Sequence, residues 1–365
     1  MLSLLIVGCA DDMDFEISNS FLSIDDAIFA DQDAVEEVKQ LRTRLVQIRD
    51  RGIAFGHQDA TAYGFHWQHS GFPSDSDVAR VTGDFPAVIG FDLGKIERGR
   101  VDNINNVRFS LMEDLIVEAH EAGSIVTLSW HSDNPLTGRS SWHIAGQINR
   151  LLPGGENHDV LDSYLFRVAD FLNGLVDTEG RPVPVIFRPW HEMNGTWFWW
   201  GSALIEADEF KELYRSTVDI LKNKYDVHNV LYAYSPNCAL NTEEYLRFYP
   251  GDEWVDVLGV DVYDFMDESY IDIASTSLAT IERLGNQKNK PYAFTETGLE
   301  NIVEPDWWTQ KLYPVIQNSG ASYSLVWRND RDVHWYGPYD GHPSEDNFLE
   351  FASNEDILLR TDINF

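Results

Sequence analysis

The sequence predicts a (β/α)8 barrel in a single domain. Three observations carry that prediction. Eight short apolar runs alternate with stretches of helical period. The runs are apolar throughout, as strands covered on both faces are, and their alternation with helices implies a parallel sheet. Each run ends in polar or aromatic residues, and eight such units suit a closed barrel. A doubly wound open sheet is the structural alternative. No Gly-x-Gly-x-x-Gly follows the first run, so a dinucleotide fold has no support.

The elements follow in order. DAVEEVKQLRTRLVQIRD carries apolar residues at helical spacing and precedes the first strand, GIAFGHQ (52–58). The second strand is PAVIGFDLG (86–94), followed by the helix VRFSLMEDLIVEAHEAG, which Gly123 closes. SIVTLSWHSDNP (124–135) is the third strand with its exit loop. The helix VLDSYLFRVADFLNGL leads to VPVIFRPWHE, the fourth strand. EADEFKELYRSTVDILKNKY opens with an acidic first turn that complements the helix dipole. NVLYAYSPN (229–237) and WVDVLGVDVYD (254–264) are strands five and six, and a helix lies around IDIASTSLATIERLG. PYAFTETG (291–298) is the seventh strand, and DWWTQKLYPVIQNSG is a helix expected to kink at Pro314. YSLVWRND (323–330) is the eighth. The catalytic domain is assigned to 31–365, after an extension over 10–30.

Composition narrows the function. The formal net charge is −33, which repels phosphate backbones and makes nucleic acid an unexpected partner. The acidic residues are scattered and form no tail. The chain holds 12 Trp, 15 Tyr and 20 Phe. The tryptophans cluster with Gly, Asn and His, as in a surface that stacks sugar rings. Two cysteines, Cys9 and Cys238, exclude a disulfide framework. Residues 1–9, MLSLLIVGC, read as the remnant of a lipoprotein signal with Cys9 as the lipidated residue. No Lys or Arg precedes the apolar run, unlike a full signal. The run is too short to span a bilayer. This predicts an exported bacterial protein, periplasmic or on the outer membrane.

A barrel gathers its C-terminal strand ends at one face, where active sites lie. Those ends carry His57, Asp92, His131, Glu192, Asn237, Asp261 with Tyr263, Glu296, and Trp327 with Arg328. Glu192 and Glu296 end strands four and seven. Paired carboxyls across a cleft are what glycoside hydrolysis needs, one protonated and one ionised. Glu192 lies in RPWHEMNGTWFWW, where an aromatic wall raises a carboxyl pKa by desolvation, so it is read as the acid/base. Glu296 lies in FTETG, with Tyr263 and Arg328 expected beside it to favour the anion, so it is read as the nucleophile. Arg188 is expected to brace the barrel mouth. At least one of the four tryptophans in this stretch is expected to stack a sugar.

Metal is not expected. A zinc helix needs His-Glu-x-x-His, and position 195 is Gly on a strand end. A three-histidine site from His57, His131 and His191 is the metal alternative. No cofactor is expected.

RPWHEMNGTWFWWG resembles the acid/base signature of glycoside hydrolase family 26, whose best-known members are β-mannanases. FGHQ, SWH with DNP, VDVYD, TETG and VWRND resemble the same family in the same order, over roughly residues 35 to 355. The resemblance implies a retaining (β/α)8 enzyme with Glu192 as acid/base and Glu296 as nucleophile. It implies that His191 tunes the acid/base, and that Tyr263 bonds the nucleophile. It further implies that His131, Trp197, Asp261, Trp327 and Arg328 contact sugars. For Asp261 an ion pair with an arginine is the structural alternative, and for the two tryptophans it is packing at the barrel mouth.

The leading function is hydrolysis of β-1,4-mannosidic bonds in mannan, galactomannan or glucomannan. Rivals within the family are β-1,3-xylanase and mixed-linkage β-glucanase. A non-catalytic glycan-binding lipoprotein and a metal-dependent barrel hydrolase are the rivals from other classes. Loops 59–85 and 132–156 are long enough to block one end of a cleft and favour release of mannobiose.

Overall fold

The computed structural model describes residues 28–266 and 268–364. The Cys9 segment and most of the N-terminal extension lie outside them. Eight parallel strands close into a barrel: β1 Ile53–Gln58, β2 Val88–Asp92, β3 Ile125–Trp130, β4 Val185–Pro189, β5 Val230–Tyr234, β6 Val257–Asp264, β7 Tyr292–Leu299 and β8 Tyr323–Val326. Each pairs with the next in sequence, and β8 closes on β1 with Ala54 opposite Tyr323 and His57 opposite Val326. Seven lie within the runs predicted from the sequence, and β7 extends one residue past its expected end at Gly298.

Alternation along each strand sorts two apolar sets. Ala54, Val88, Ile125, Ile186, Leu231, Val257, Ala293 and Leu325, one from each strand, form one cluster with Val38, Leu41, Leu45 and Ile48 of the helix Glu36–Arg49. That helix packs its apolar stripe on the barrel interior. Their neighbours, such as Phe55, Ile89, Val126, Phe187 and Phe294, pack with the outer helices. The layers therefore follow from the two-residue period of a strand against the longer period of a helix.

Strand β7 departs from that period. Phe294 pairs with Val260 and Glu296 with Asp261, so Thr295 is an extra residue. Its hydroxyl donates to the Val260 carbonyl at 3.0 Å and to Asp261 Oδ1 at 2.6 Å. A bulge of this kind re-aims the side chains that follow it, and here those include Glu296.

The expected kink at Pro314 takes the form of a π-helical turn, Trp308–Leu312, running into a short α-helix, Tyr313–Ile316. Widening the turn just before the proline accommodates its missing N–H. Loop 59–85 folds into a hairpin, Tyr63–Gly64 with Trp67–Gln68, and a helix Asp77–Thr82. Loop 132–156 contains one short 3-10 turn, Ile148–Arg150. Among the described residues no helix is long and apolar enough to cross a membrane.

Candidate active site

The C-terminal mouth of the barrel opens into a cleft of about 670 Å³. Its walls include His131, His191, Glu192, Trp197, Tyr263, Glu296, Trp327 and Arg328 from the expected set. Asn237, at the end of β5, joins them, with Ile104, Asn105, Trp142, Phe198, Phe265 and Tyr336 from the loops.

Glu192 sits on a strained turn. Trp190 and Glu192 both have left-handed backbones, with φ of 55° and 56°. Such a conformation costs roughly 1–2 kcal/mol per non-glycine residue. Packing holds it in place. The Trp190 ring is fully buried against Trp130, Trp199 and Trp200, and its Nε1 donates to Thr217 Oγ1 at 3.0 Å. The Glu192 N–H donates to the Ser235 carbonyl at 2.8 Å. The carboxyl then receives Trp197 Nε1–H at 2.7 Å and lies 3.4 Å from Asn237 Nδ2. Burial holds it well above the usual carboxylate range, and the charges of Glu296 and Asp261 push the same way. Trp197 and Arg188 pull the other way, each less than any of these. Glu192 therefore keeps its proton, as a general acid must.

Glu296 meets the opposite surroundings. Tyr263 Oη donates to Oε1 at 2.6 Å, and Arg188 Nη2 donates to Oε2. A phenol and a permanent cation stabilise a carboxylate as its anion. The cation is Arg188 and not Arg328, which corrects the expectation for Arg328. Arg188 is buried under the cleft, where it also donates to Asp261 Oδ2 at 2.7 Å and Ser235 Oγ at 3.1 Å. Arg328 instead donates to Tyr63 Oη at 3.1 Å and pairs with Asp330 at 3.1 Å, on the far wall.

Asp261 is also corrected. It is fully buried, bonded to Arg188, Ser235 and Thr295, and absent from the cleft lining. Burial pushes its carboxyl up to about 7 against the pull of Arg188. It balances the arginine that holds Glu296 and leaves sugar contact to its neighbours.

His131 is oriented from below. Its Nδ1 lies 2.7 Å from Asp92 Oδ2, and Asp92 is itself fixed by Ser129 Oγ at 2.6 Å and Gly94 N–H at 2.7 Å. These donors and His131 hold Asp92 down to about 2, although burial opposes them. The paired nitrogen faces Asp92, which leaves Nε2 as the atom free to meet a ligand. His191 stands edge-on to His131 at 4.7 Å and is packed by Phe198 and Trp200. Burial, Arg188 and His131 all keep it neutral, so it adds no charge beside Glu192. His57 is buried with both ring nitrogens unpartnered, and burial lowers it to about 3. It lies under Gly337, where a Cβ would come within 2.6 Å of its Nε2, and does not line the cleft.

Of the four tryptophans in RPWHEMNGTWFWW, Trp190, Trp199 and Trp200 are core, and only Trp197 is exposed, at 37%. Trp327 stands across the mouth, 6.0 Å from His131. Reading of the sequence missed the aromatic loop residues Trp142 and Phe265, which are 50% and 78% exposed. Phe265 directly follows VDVYD, so its place after a strand end was an available signal. The signal for Arg188 was a lone charge inside VIFRP, which must find buried partners. Among the described residues no three His, Cys, Asp or Glu side chains converge as a metal site.

A parallel barrel with an acidic pair at its mouth, one protonated and one braced by a cation, defines the glycosidase type of site. Comparison with known proteins gives the family. The model for glycosyl hydrolase family 26 matches residues 30–296, and the chain belongs to that family. A mannan endo-1,4-β-mannosidase of Bifidobacterium adolescentis is 32% identical over 91% of this chain. The chain spans 36% of that relative's length. A Bacillus subtilis mannan endo-1,4-β-mannosidase is 30% identical, over 72% of this chain and 78% of its own. The solved structure of a GH26 β-mannanase from Bacteroides ovatus is 44% identical with a TM-score of 0.87, covering 91% of this chain and 96% of that one.

Proposed function

We propose that this protein is a retaining β-mannanase that hydrolyses β-1,4-mannosidic bonds in mannan, galactomannan or glucomannan. One observation carries the mechanism: two carboxyls share a cleft, Glu192 held protonated and Glu296 held by Arg188 and Tyr263. In the first step Glu296 attacks the anomeric carbon while Glu192 gives its proton to the departing glycosidic oxygen. In the second, the Glu192 carboxylate takes a proton from a water that displaces Glu296 and restores the configuration. Support for mannan as the glycan comes from the relatives, which are named for that activity.

The first test is a product time course from a β-1,4-manno-oligosaccharide of six units. It runs beside β-1,4-xylan, β-1,3-xylan and mixed-linkage glucan, with Glu296→Ala as blank. Cleavage of the manno-oligosaccharide that disappears in the blank supports the proposal. Turnover of a xylan or glucan alone replaces the substrate and keeps the chemistry, and no turnover of anything favours a glycan-binding protein.

We infer further that loops 59–85 and 132–156 set product length, biased to mannobiose. Support comes from how firmly the first is held. Phe65 stacks on Tyr339 at 3.7 Å, and Asp77 accepts from Asn329 Nδ2 at 2.8 Å, so the loop and the one after β8 make one wall on the Arg328 side. In the second loop, Trp142 stacks 5.6 Å from His131. Removing each loop tip separately tests this; an unchanged product pattern in both rejects it. Export and a lipid on Cys9 belong to the same proposal and rest on the apolar run before that residue. The mass of the mature protein from a lipoprotein-processing host decides that point.

A further inference from the structure

Beside the cleft lies a separate groove of about 510 Å³, lined among others by Lys95, Arg98, Arg100, Asn103, Asp133 and Arg139. The two share their dividing walls. Ile104 and Asn105 face the cleft while Asn103 and Asn106 face the groove. In loop 132–156, Trp142 faces the cleft and Ser140 the groove. A glycan or side branch leaving the cleft over Ile104 and Trp142 would reach the groove.

Its charge is reversed relative to the rest of the molecule. The chain has 27 Lys and Arg against 60 Asp and Glu. The groove instead brings together four cations against Asp102 and Asp133. Asp102 already meets Arg108 at 3.9 Å, and Asp133 meets Arg98 at 3.8 Å. Among the described residues Arg139 Nη1 meets only His143 Nε2, at 3.1 Å. Lys95 and Arg100 have no ion pair or side-chain hydrogen bond among the described residues. The acid within this stretch, Glu97, is turned inward. It accepts from Trp130 Nε1 at 3.0 Å and the Asp133 N–H at 2.7 Å, so it does not neutralise the groove.

The local chain is built to hold this arrangement. Gly99 and Gly138 take left-handed turns with φ of 61° and 66°, and Lys95 itself has φ of 80°. A Cβ on Gly138 would come within 3.3 Å of Arg98 Nη1, so the third-strand loop packs directly on that guanidinium.

We propose that the groove is an accessory subsite for an anionic sugar unit, a uronate carboxylate or a sulfate ester, on a glycan whose neutral part occupies the cleft. This rests on the mannanase reading for the cleft. The Arg100 and Arg139 guanidiniums and the Lys95 ammonium match the paired oxygens of such groups, while Arg98 is held by Asp133 and Tyr164. An acidic glycan is repelled by the protein as a whole, and unpaired cations within a Debye length of the bound chain offset that repulsion locally.

The test uses galactomannan in three forms: neutral, with part of its galactose oxidised at C6 to uronate, and sulfated. kcat/KM is measured for the wild type and for Lys95→Gln with Arg100→Gln, at low and high salt. Two exposed pairs are worth up to ~1 kcal/mol together, so the variant loses about fivefold on a charged polymer and nothing on the neutral one. High salt removes the wild type's advantage. A loss on the uronate form alone, or the sulfate form alone, names the group. Equal change on neutral and charged polymers, or none on either, overturns the proposal. A second readout is independent of turnover: retardation of the Glu296→Ala protein, with and without the two groove substitutions, in gels containing each polymer. If neutral mannan is not cleaved, the mannanase reading fails. The gels still decide the groove, since retardation by a charged polymer must weaken when the cations are removed.

Discussion

Glu192 and Glu296 are the same side chain in two different settings. Glu192 sits on a strained turn with an indole as its closest donor and aromatic rings around it. Glu296 sits after a bulge, with a guanidinium and a phenol aimed at its two oxygens. Burial raises the carboxyl of the first, while a guanidinium and a phenol hydrogen-bond the second. The contrast teaches that acid and nucleophile are assigned by their donors and not by their own chemistry.

Several substitutions break or sharpen this contrast. The largest effect belongs to Glu296→Ala, expected to lower kcat by about 10⁴-fold or more on polymer and on an activated aryl β-mannoside alike. Glu192→Ala is expected to lose about 10²–10⁴-fold on polymer. It should still release the aryl group in a rapid burst, because a good leaving group needs no proton. Burst kinetics on both substrates separate the two roles, and identical profiles for the two variants erase the distinction.

Arg188→Met comes next. It leaves Asp261 and Glu296 buried without their cation, at a cost of roughly 3–5 kcal/mol in stability. Denaturant unfolding measures it, and adding Asp261→Asn is expected to recover part of the loss. An undiminished midpoint counts against Arg188 as the holder of Glu296. Tyr263→Phe removes one donor and is expected to lower kcat/KM by about 10²-fold with stability nearly unchanged. A fall confined to KM contradicts a role on the reacting carboxylate.

The smallest effect tests the acid. Trp197→Phe keeps an aromatic ring but removes the N–H that stabilises the Glu192 anion. Losing that donor raises the Glu192 pKa further, so the proton is retained to higher pH. The alkaline limb of kcat/KM against pH therefore moves up. A limb that stays in place, or moves down, means that the indole does not tune Glu192.

Much of the fold was legible because its signal is local. A run such as PAVIGFDLG declares a covered strand by its own composition, and Gly123 closes its helix wherever the barrel places it. The site was legible one level up, because a closed barrel sends every strand end to one face. His131 and Trp327 follow from that rule, whereas Trp197 lies in the loop after β4 and was indicated by the family resemblance. The same rule misled at Asp261, which ends a strand in the broad sense yet lies one layer below the cleft. Depth along the barrel axis depends on stagger between strands and on the bulge at Thr295, neither of which is written in a single run.

The sequence by itself determined the eight strands, the barrel and the two glutamates, since apolar runs, helical periods and strand-end residues are properties of neighbours along the chain. Tertiary structure decided which arginine serves Glu296, why Asp261 is buried and which of the four tryptophans faces solvent. Those outcomes depend on burial and on partners brought from distant strands. An ion pair between β4 and β7 exists only once the barrel has closed around it.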